Sequence, residues 1–183
     1  MKLRALIILH PGFEELEAVA PIDLLSRAEV EVVQASAAQT LQVTGRSGIT
    51  IETNHLLSQI ATEIFDVVIL PGGPGITQLR EDAQIIKCLQ NHKQAGKLIA
   101  CICAAPLLLL DAKLIQDIEY TAHPSTAKEL PNARNQAIVI DNNILTSPGA
   151  GTATEFALSL IQQLCSESTK KEIAASICWS HSC

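Results

Sequence analysis

Three largely apolar runs divide the chain, at residues 3–9 (LRALIIL), 65–70 (FDVVIL) and 98–102 (LIACI). Apolar side chains on both faces of a short run predict a strand buried on both sides, as in a parallel sheet covered by helices. Each run meets a breaker: His10-Pro11-Gly12, the turn PGGPG, and Cys103. Between them the period changes. Glu14, Glu15 and Glu17 open a helix running to about Arg27, with acids placed to complement the helix dipole and Pro21 expected to kink it or free a carbonyl. Residues 82–95 carry Ala83, Ile85, Ile86 and Leu89 at helical spacing, and Gly96 stops them. Further helices are predicted from Cys103 through residue 110, over 152–164 and over 169–177. Residues 29–34 form a strand. Two hairpins are expected, 41–43 with 49–53 about TGRS, and 137–140 with 144–146 about Asp141-Asn142-Asn143.

Strand and helix alternate along most of the 183 residues, which fit a single domain spanning 1–183. The expected architecture is a doubly wound, mostly parallel sheet sandwiched by helices. In such folds ligands lie beyond the carboxyl ends of the strands. Three turns emerge there: HPGFEE, LPGGPG and ICAAP. The chemistry belongs where they meet.

Composition narrows the function. Apolar residues make up 48% and aromatics 3%, so the core is built from Ile, Leu, Val and Ala. A net charge of -6 without a Lys/Arg run argues against specific nucleic-acid binding. The apolar start is too short for a secretory leader, and no run reaches the roughly 18 residues of a membrane span, which implies a cytoplasmic protein. Six cysteines occur without a CxxC pair. Cys88, Cys165 and Cys178 read as small buried apolar residues. The histidines are scattered, with no HxH or HExxH, and CxC at Cys101 and Cys103 carries no metal argument, so no metal is expected. The terminal His181-Ser182-Cys183 reads as a frayed tail.

The reactive candidate is Cys103. A buried strand runs into a helix with this cysteine at the junction and the small Ala104 and Ala105 after it. That is the pattern of a nucleophile elbow. A helix beginning at this point would aim its N–H groups at the sulfur and lower its pKa into the range of about 3.5–7.5. Glu14 and Glu17 share a helix face and Glu15 points elsewhere, so one carboxyl looks back at the sheet. The glycine-rich turn at Gly72 and Gly73 lacks the GxGxxG and GxxxxGKS patterns that hold nucleotide phosphates. It presents backbone N–H groups to the pocket instead. His123 stands in a loop before a proline.

GFEELEA, DVVILPGG, LIACICAAP, AHP and LTSPGAGTATEFAL, in this order, resemble the ThiJ/PfpI superfamily, in the branch of the parkinsonism-associated protein DJ-one and its bacterial relatives. The resemblance covers residues 3 to about 177. It implies a flavodoxin-like fold, a homodimer and no cofactor. It makes Cys103 the reactive cysteine, Glu17 the glutamate bonded to it and His123 the nearby histidine. Gly72, Gly73 and Ala104 supply the backbone around the sulfur. Arg27 falls at a dimer-side rim of the pocket and Arg46 in a hairpin of altered length. TSPGAG departs from the family's usual TSxGPG, so that Pro148 is displaced and Ala150 stands where a proline closes the pocket. Cys101 replaces a usual Ala.

The activity so implied is cofactor-free turnover of small reactive dicarbonyls, methylglyoxal to lactate, or removal of their adducts from glycated amines. The alternative is a redox sensor or redox-regulated chaperone of oxidative stress, through oxidation of Cys103 to sulfinate. A peptidase or amidotransferase fits less well, because Ala104 and Ala105 stand where such branches place a base.

Overall fold

The computed structural model describes residues 2–180. The terminal tripeptide discussed above, with Cys183, lies outside them. Seven strands form one sheet in the order β5-β2-β1-β6-β7-β9-β8: β1 (Arg4–Leu9), β2 (Glu31–Ser36), β5 (His55–Leu56), β6 (Val67–Leu70), β7 (Leu98–Ile102), β8 (Val139–Asp141) and β9 (Ile144–Ser147). All pairs are parallel except β8 with β9. A separate antiparallel pair, β3 (Gln42–Thr44) and β4 (Thr50–Glu52), projects between β2 and β5. The helices are α1 (Glu15–Arg27), α2 (Leu57–Ile60), α3 (Ile76–Leu79), α4 (Ala83–Gln94), α5 (Pro106–Asp111), α6 (Ala153–Leu164) and α7 (Glu167–Ser176). This is the flavodoxin-like sandwich.

The apolar runs become the central strands for the expected reason. Leu6, Ile8, Val68, Leu70, Ile99 and Cys101 face one half of the core, with α3, α4 and α5. Ala5, Ile7, Leu9, Val67, Ile69, Ala100 and Ile102 face the other, with α1 and α6. Successive side chains alternate across the sheet, and both sides are sealed.

Several boundaries differ from the sequence reading, each for a local reason. The second strand starts at Glu31 because Ala28 to Val30 finish α1. Glu29 takes φ +61 and donates its N–H to Ser26 O, while Val30 N–H reaches Leu25 O. That is a Schellman cap with a non-glycine residue in the left-handed position. The same motif ends α7, where Cys178 takes φ +55 and Trp179 N–H reaches Ala174 O. Cys178 is therefore exposed rather than buried. The short β5, α2 and α3 carry no periodic signal of their own. α1 continues through Pro21, which has no N–H to offer the Glu17 carbonyl. The 142–143 turn has both asparagines at positive φ, matching the twist of a two-residue hairpin.

Ile69 is fully buried in the middle of the sheet. Ile69→Ala should lower the unfolding free energy by about 2–5 kcal/mol in urea titrations. A loss below about 1 kcal/mol would show that this core collapses around the deleted methyls.

Candidate active site

β7 ends at Ile102, and the next residue, Cys103, takes φ +65. A left-handed backbone on a residue with a side chain costs on the order of 1–3 kcal/mol and persists only when its surroundings hold it. Here they do. Cys103 N–H donates to Ser147 O (2.9 Å) at the end of β9, and its carbonyl accepts His123 N–H (2.9 Å). The turn lifts the sulfur off the sheet. α5 begins later than the sequence suggested, at Pro106, so the N–H groups that bear on the sulfur belong to Ala104 and to Gly73 from the neighbouring turn.

That neighbouring turn leaves no room for side chains. A Cβ on Gly72 would stand 2.7 Å from Cys103 Cβ and 2.9 Å from Ala104 N. Gly73 takes φ +110, and a Cβ there would meet Gly12 O at 2.4 Å. The turn is fastened to the start of α1 in both directions: Glu14 N–H donates to Gly72 O (3.0 Å), and Gly72 N–H donates to Glu17 Oε2 (2.8 Å).

Glu17 is fully buried. Oε2 accepts the Gly72 N–H, Oε1 has no hydrogen-bond partner, and the carboxyl lies near enough to the Cys103 thiol for each group to shift the other. Burial pushes Glu17 up to about 7, against the opposing pull of Gly72 N–H and Cys103. Burial, then the charge and hydrogen bond of Glu17, push the Cys103 thiol up to about 12. This corrects the expectation of a lowered thiol pKa. The N–H groups of Gly73 and Ala104 do favour the thiolate, but a charged Glu17 beside the sulfur outweighs them. Two anions this close in a dry pocket are costly, so the pair holds one proton tightly and titrates as a unit. A proton on Glu17 removes its charge and with it that part of the thiol's rise. The bare Oε1 is then the atom from which an O–H would donate to sulfur.

His123 is exposed beside the cleft. Its Nδ1 lies 2.8 Å from Ser125 Oγ and accepts Ser125 N–H (3.2 Å), which leaves Nε2 to carry the hydrogen of a neutral ring. Gly149 sits between this ring and Glu17: a Cβ there would lie 3.5 Å from His123 Cδ2 and 4.0 Å from Glu17 Oε1. Pro148 flanks His123 in a neighbouring hollow. Ala150 begins a short 3-10 turn. Arg46 sits at the tip between β3 and β4, with Nη1 3.0 Å from Glu14 Oε2. It joins Gly73, Cys103, Ala104, His123 and Lys128 around a cleft of about 440 Å³. Hollows of about 600 and 680 Å³ near residues 115–135 are lined by no Cys, Ser, Thr, Lys or His.

Arg27 is not brought to this cleft within one chain. It lies ten residues along α1 from Glu17, roughly 15 Å of helix, and pairs with Asp23 (3.0 Å). Cys101 is fully buried on β7, and burial raises its pKa. Among the described residues, no group of three or more His, Cys, Asp or Glu is placed to hold a metal. Nor is any helix long and apolar enough to cross a membrane.

The sequence reading missed Glu15. It is buried, and its Oε1 accepts Ser47 N–H (2.7 Å) beneath Gly45. It bolts the hairpin tip, and so Arg46, over the cleft. Lys128 was also missed, since a single lysine in a loop carries no signal.

Sheet order, left-handed cysteine and buried acid define a class: a doubly wound α/β domain with a cysteine elbow. The chain belongs to the DJ-1/PfpI family, whose model matches residues 3–163. It is 35% identical to protein dj-1beta of Drosophila melanogaster over 179 residues, 95% of this chain and 96% of that one. It is 33% identical to the glutathione-independent glyoxalase DJR-1.2 of Caenorhabditis elegans over 164 residues, 87% of this chain and 88% of the relative. The solved structure of oxidized Toxoplasma gondii DJ-1 superposes with a TM-score of 0.93 at 35% identity, covering 98% of this chain and all of that one.

Glu17 gives a stability test. Its folded pKa of about 7 lies above the ordinary 4.5, so the unfolded chain ionises first as pH rises. The folded state therefore loses stability from this group between pH 4.5 and 7, by about 3 kcal/mol, and nothing further above. Urea titrations should show Glu17→Gln gaining on the parent chain across that window, and equal pH slopes in the two proteins would show that the acid is not raised.

Proposed function

We propose that this chain is a cofactor-independent and glutathione-independent enzyme of reactive dicarbonyls, with Cys103 as nucleophile and Glu17 as proton carrier. The observation that carries the reading is the buried Glu17 carboxyl, pushed up to about 7 beside a thiol on a strained elbow. An acid that ionises near neutral pH both gives and takes a proton during turnover. The glyoxalase among its relatives supports the same substrate class.

With methylglyoxal, the Cys103 thiolate adds to the aldehyde carbon. The C–S bond forms, the carbonyl pair moves to oxygen, and that oxygen takes the Glu17 proton. The Glu17 carboxylate then removes the proton from the same carbon, giving an enediolate, and returns it to the neighbouring carbon as the hydroxyl proton passes between the two oxygens. The product of this transfer is a lactoyl thioester on Cys103. Water adds to it, the C–S bond breaks, and lactate leaves with the thiol restored. One carbon is oxidised as its neighbour is reduced, so only water is consumed. In this scheme Gly73 and Ala104 N–H groups favour negative charge on the sulfur side, and Gly72 orients Glu17. His123 and Arg46 supply donors at the cleft's rim. A carbinolamine adduct of an amine enters the same course once its C–N bond breaks, the hydroxyl proton passing to the departing amine and the aldehyde that Cys103 attacks being regenerated.

A homodimer accompanies this reading. Leu16 (62% exposed) and Val19 (46%) on α1, with Ile49 (56%) in the β3–β4 loop, are large apolar side chains in solvent. A second copy covering them is also the source from which Arg27 reaches a cleft. The chain then acts as one domain in the cytoplasm, where its cysteines stay reduced; Cys88, Cys101, Cys103, Cys165 and Cys178 are all free.

A redox role is the second reading, favoured by the half-buried Cys103 sulfur and by the oxidized state of the Toxoplasma structure. There a protonated Glu17 donates to a sulfinate oxygen.

Metal-free protein given methylglyoxal without glutathione should form lactate. Cys103→Ala should abolish this, and Glu17→Gln should lower kcat by about 10²–10⁴-fold while its thiol still alkylates. Normal turnover by Glu17→Gln would remove the proton carrier from the mechanism. Inertness of the parent chain, with ready sulfinate formation at Cys103, would favour the redox reading. Light scattering at micromolar concentration should give the mass of two chains, and a monomer would refute the dimer.

A further inference from the structure

His10 is fully buried, and no step above uses it. It stands at the end of β1, under the turns that carry the site. Its Nδ1 lies 3.2 Å from Pro11 O and its Nε2 lies 3.3 Å from Pro71 O. The backbone of Gly75 closes over the ring, where a Cβ would stand 2.6 Å from Nδ1. Burial holds the ring's pKa below its ordinary value against the opposing pull of the Pro11, Pro71 and Gly72 backbone, so at neutral pH it carries one N–H.

The two carbonyls are not equivalent. The Pro11 contact is to the next residue, whereas the Pro71 contact joins segments 61 residues apart. The Pro71 carbonyl shares one peptide plane with Gly72 N–H. That peptide is planar and, like every described peptide here, trans, so its C=O and N–H point to opposite sides. His10 Nε2 lies on the carbonyl side, and Glu17 Oε2 accepts the N–H on the other at 2.8 Å. A rigid plane gripped at both ends cannot tilt without breaking both bonds.

We propose that His10 is a positioning residue for the Glu17–Cys103 pair: by donating from Nε2 to Pro71 O it fixes the Pro71–Gly72 peptide plane, and with it the N–H that Glu17 accepts. The inference rests on the same pair as the proposed function but not on its substrate, so absence of dicarbonyl turnover leaves it standing.

Gly72 N–H pulls the Glu17 pKa down, opposing burial. Loss of His10 frees the plane, weakens that bond and raises Glu17 further. The groups that bear on Glu17 by charge or hydrogen bond are Cys103 from the elbow, Glu14 from its own helix and Arg46 from the hairpin. Substitution at His10 leaves all three in place, and a neutral ring takes no charge with it.

The test follows the Glu17 carboxyl carbon by NMR across pH, in full-length protein carrying Cys103→Ala so that Glu17 titrates alone. His10→Ala should raise the Glu17 midpoint by about one pH unit. His10→Gln places an amide nitrogen near the position of Nε2 and should restore the parent midpoint. His10→Asn places its nitrogen near Nδ1 and should not. A purely structural role would lower the melting temperature of His10→Ala without moving the midpoint, and that result overturns the proposal. So does restoration by Asn, or a Gln midpoint away from the parent's. If His10→Ala does not fold, the contrast between Gln and Asn decides.

Discussion

The hydrogen bond from Gly72 N–H to Glu17 Oε2 at 2.8 Å ties the acid of this site to the turn that faces the cysteine. One partner rides on the first turn of α1, and the other sits in the turn after β6. Both elements are laid down by the central sheet, in which β1 lies beside β6 and β6 beside β7. The bond is formed without water, because Glu17 is fully buried. In that setting the bond both locates the carboxyl and limits how far burial raises its pKa. Without it burial would raise the acid further.

The strain at Cys103 depends on the same arrangement. A left-handed cysteine is stable here because its own N–H and C=O are committed to β9 and to the His123 segment. Its side chain has one direction left to point, toward Gly73, Ala104 and Glu17. The glycines allow that approach, since any Cβ on Gly72 would occupy the space of the sulfur's own carbon. Strain, close backbone contact and burial therefore serve one end: they hold a thiol against an acid in a volume too small to admit two charges.

The sheet was legible in the sequence because a strand buried on both faces has no polar alternation to confuse with a helix. The runs FDVVIL and LIACI announced β6 and β7 closely. What failed was the start of the second strand, at Glu31 rather than residue 29, and the burial of Cys178, both beside helix ends where a non-glycine residue took the left-handed position usually marked by glycine. Cys103 was legible from its junction and small neighbours, while its raised pKa was not. That shift comes first from burial and then from Glu17, 86 residues away in sequence, and a dipole argument confined to the elbow leaves both out. Glu15 was misread for a similar reason. Its partner, Ser47 N–H, lies in a hairpin tip whose return to α1 no local pattern encodes.

The three acids of GFEELEA show how one helix start divides its labour by exposure. Glu14 remains at the surface edge and holds the half-exposed Arg46 at 3.0 Å. An ion pair this open adds little stability, so its effect is positional. Glu15 goes under the hairpin tip and accepts Ser47 N–H, which keeps its pKa below the ordinary value despite burial. Glu17 goes deepest, and only there does burial win over the donors offered. The same side chain, within one helical turn, is thus a tether, a fastening and an acid. What separates them is the number of N–H groups the fold turns toward each carboxyl, against the water it takes away. The chemistry proposed for Cys103 requires the third balance, and the first two keep the hairpin and Arg46 at the rim of its cleft.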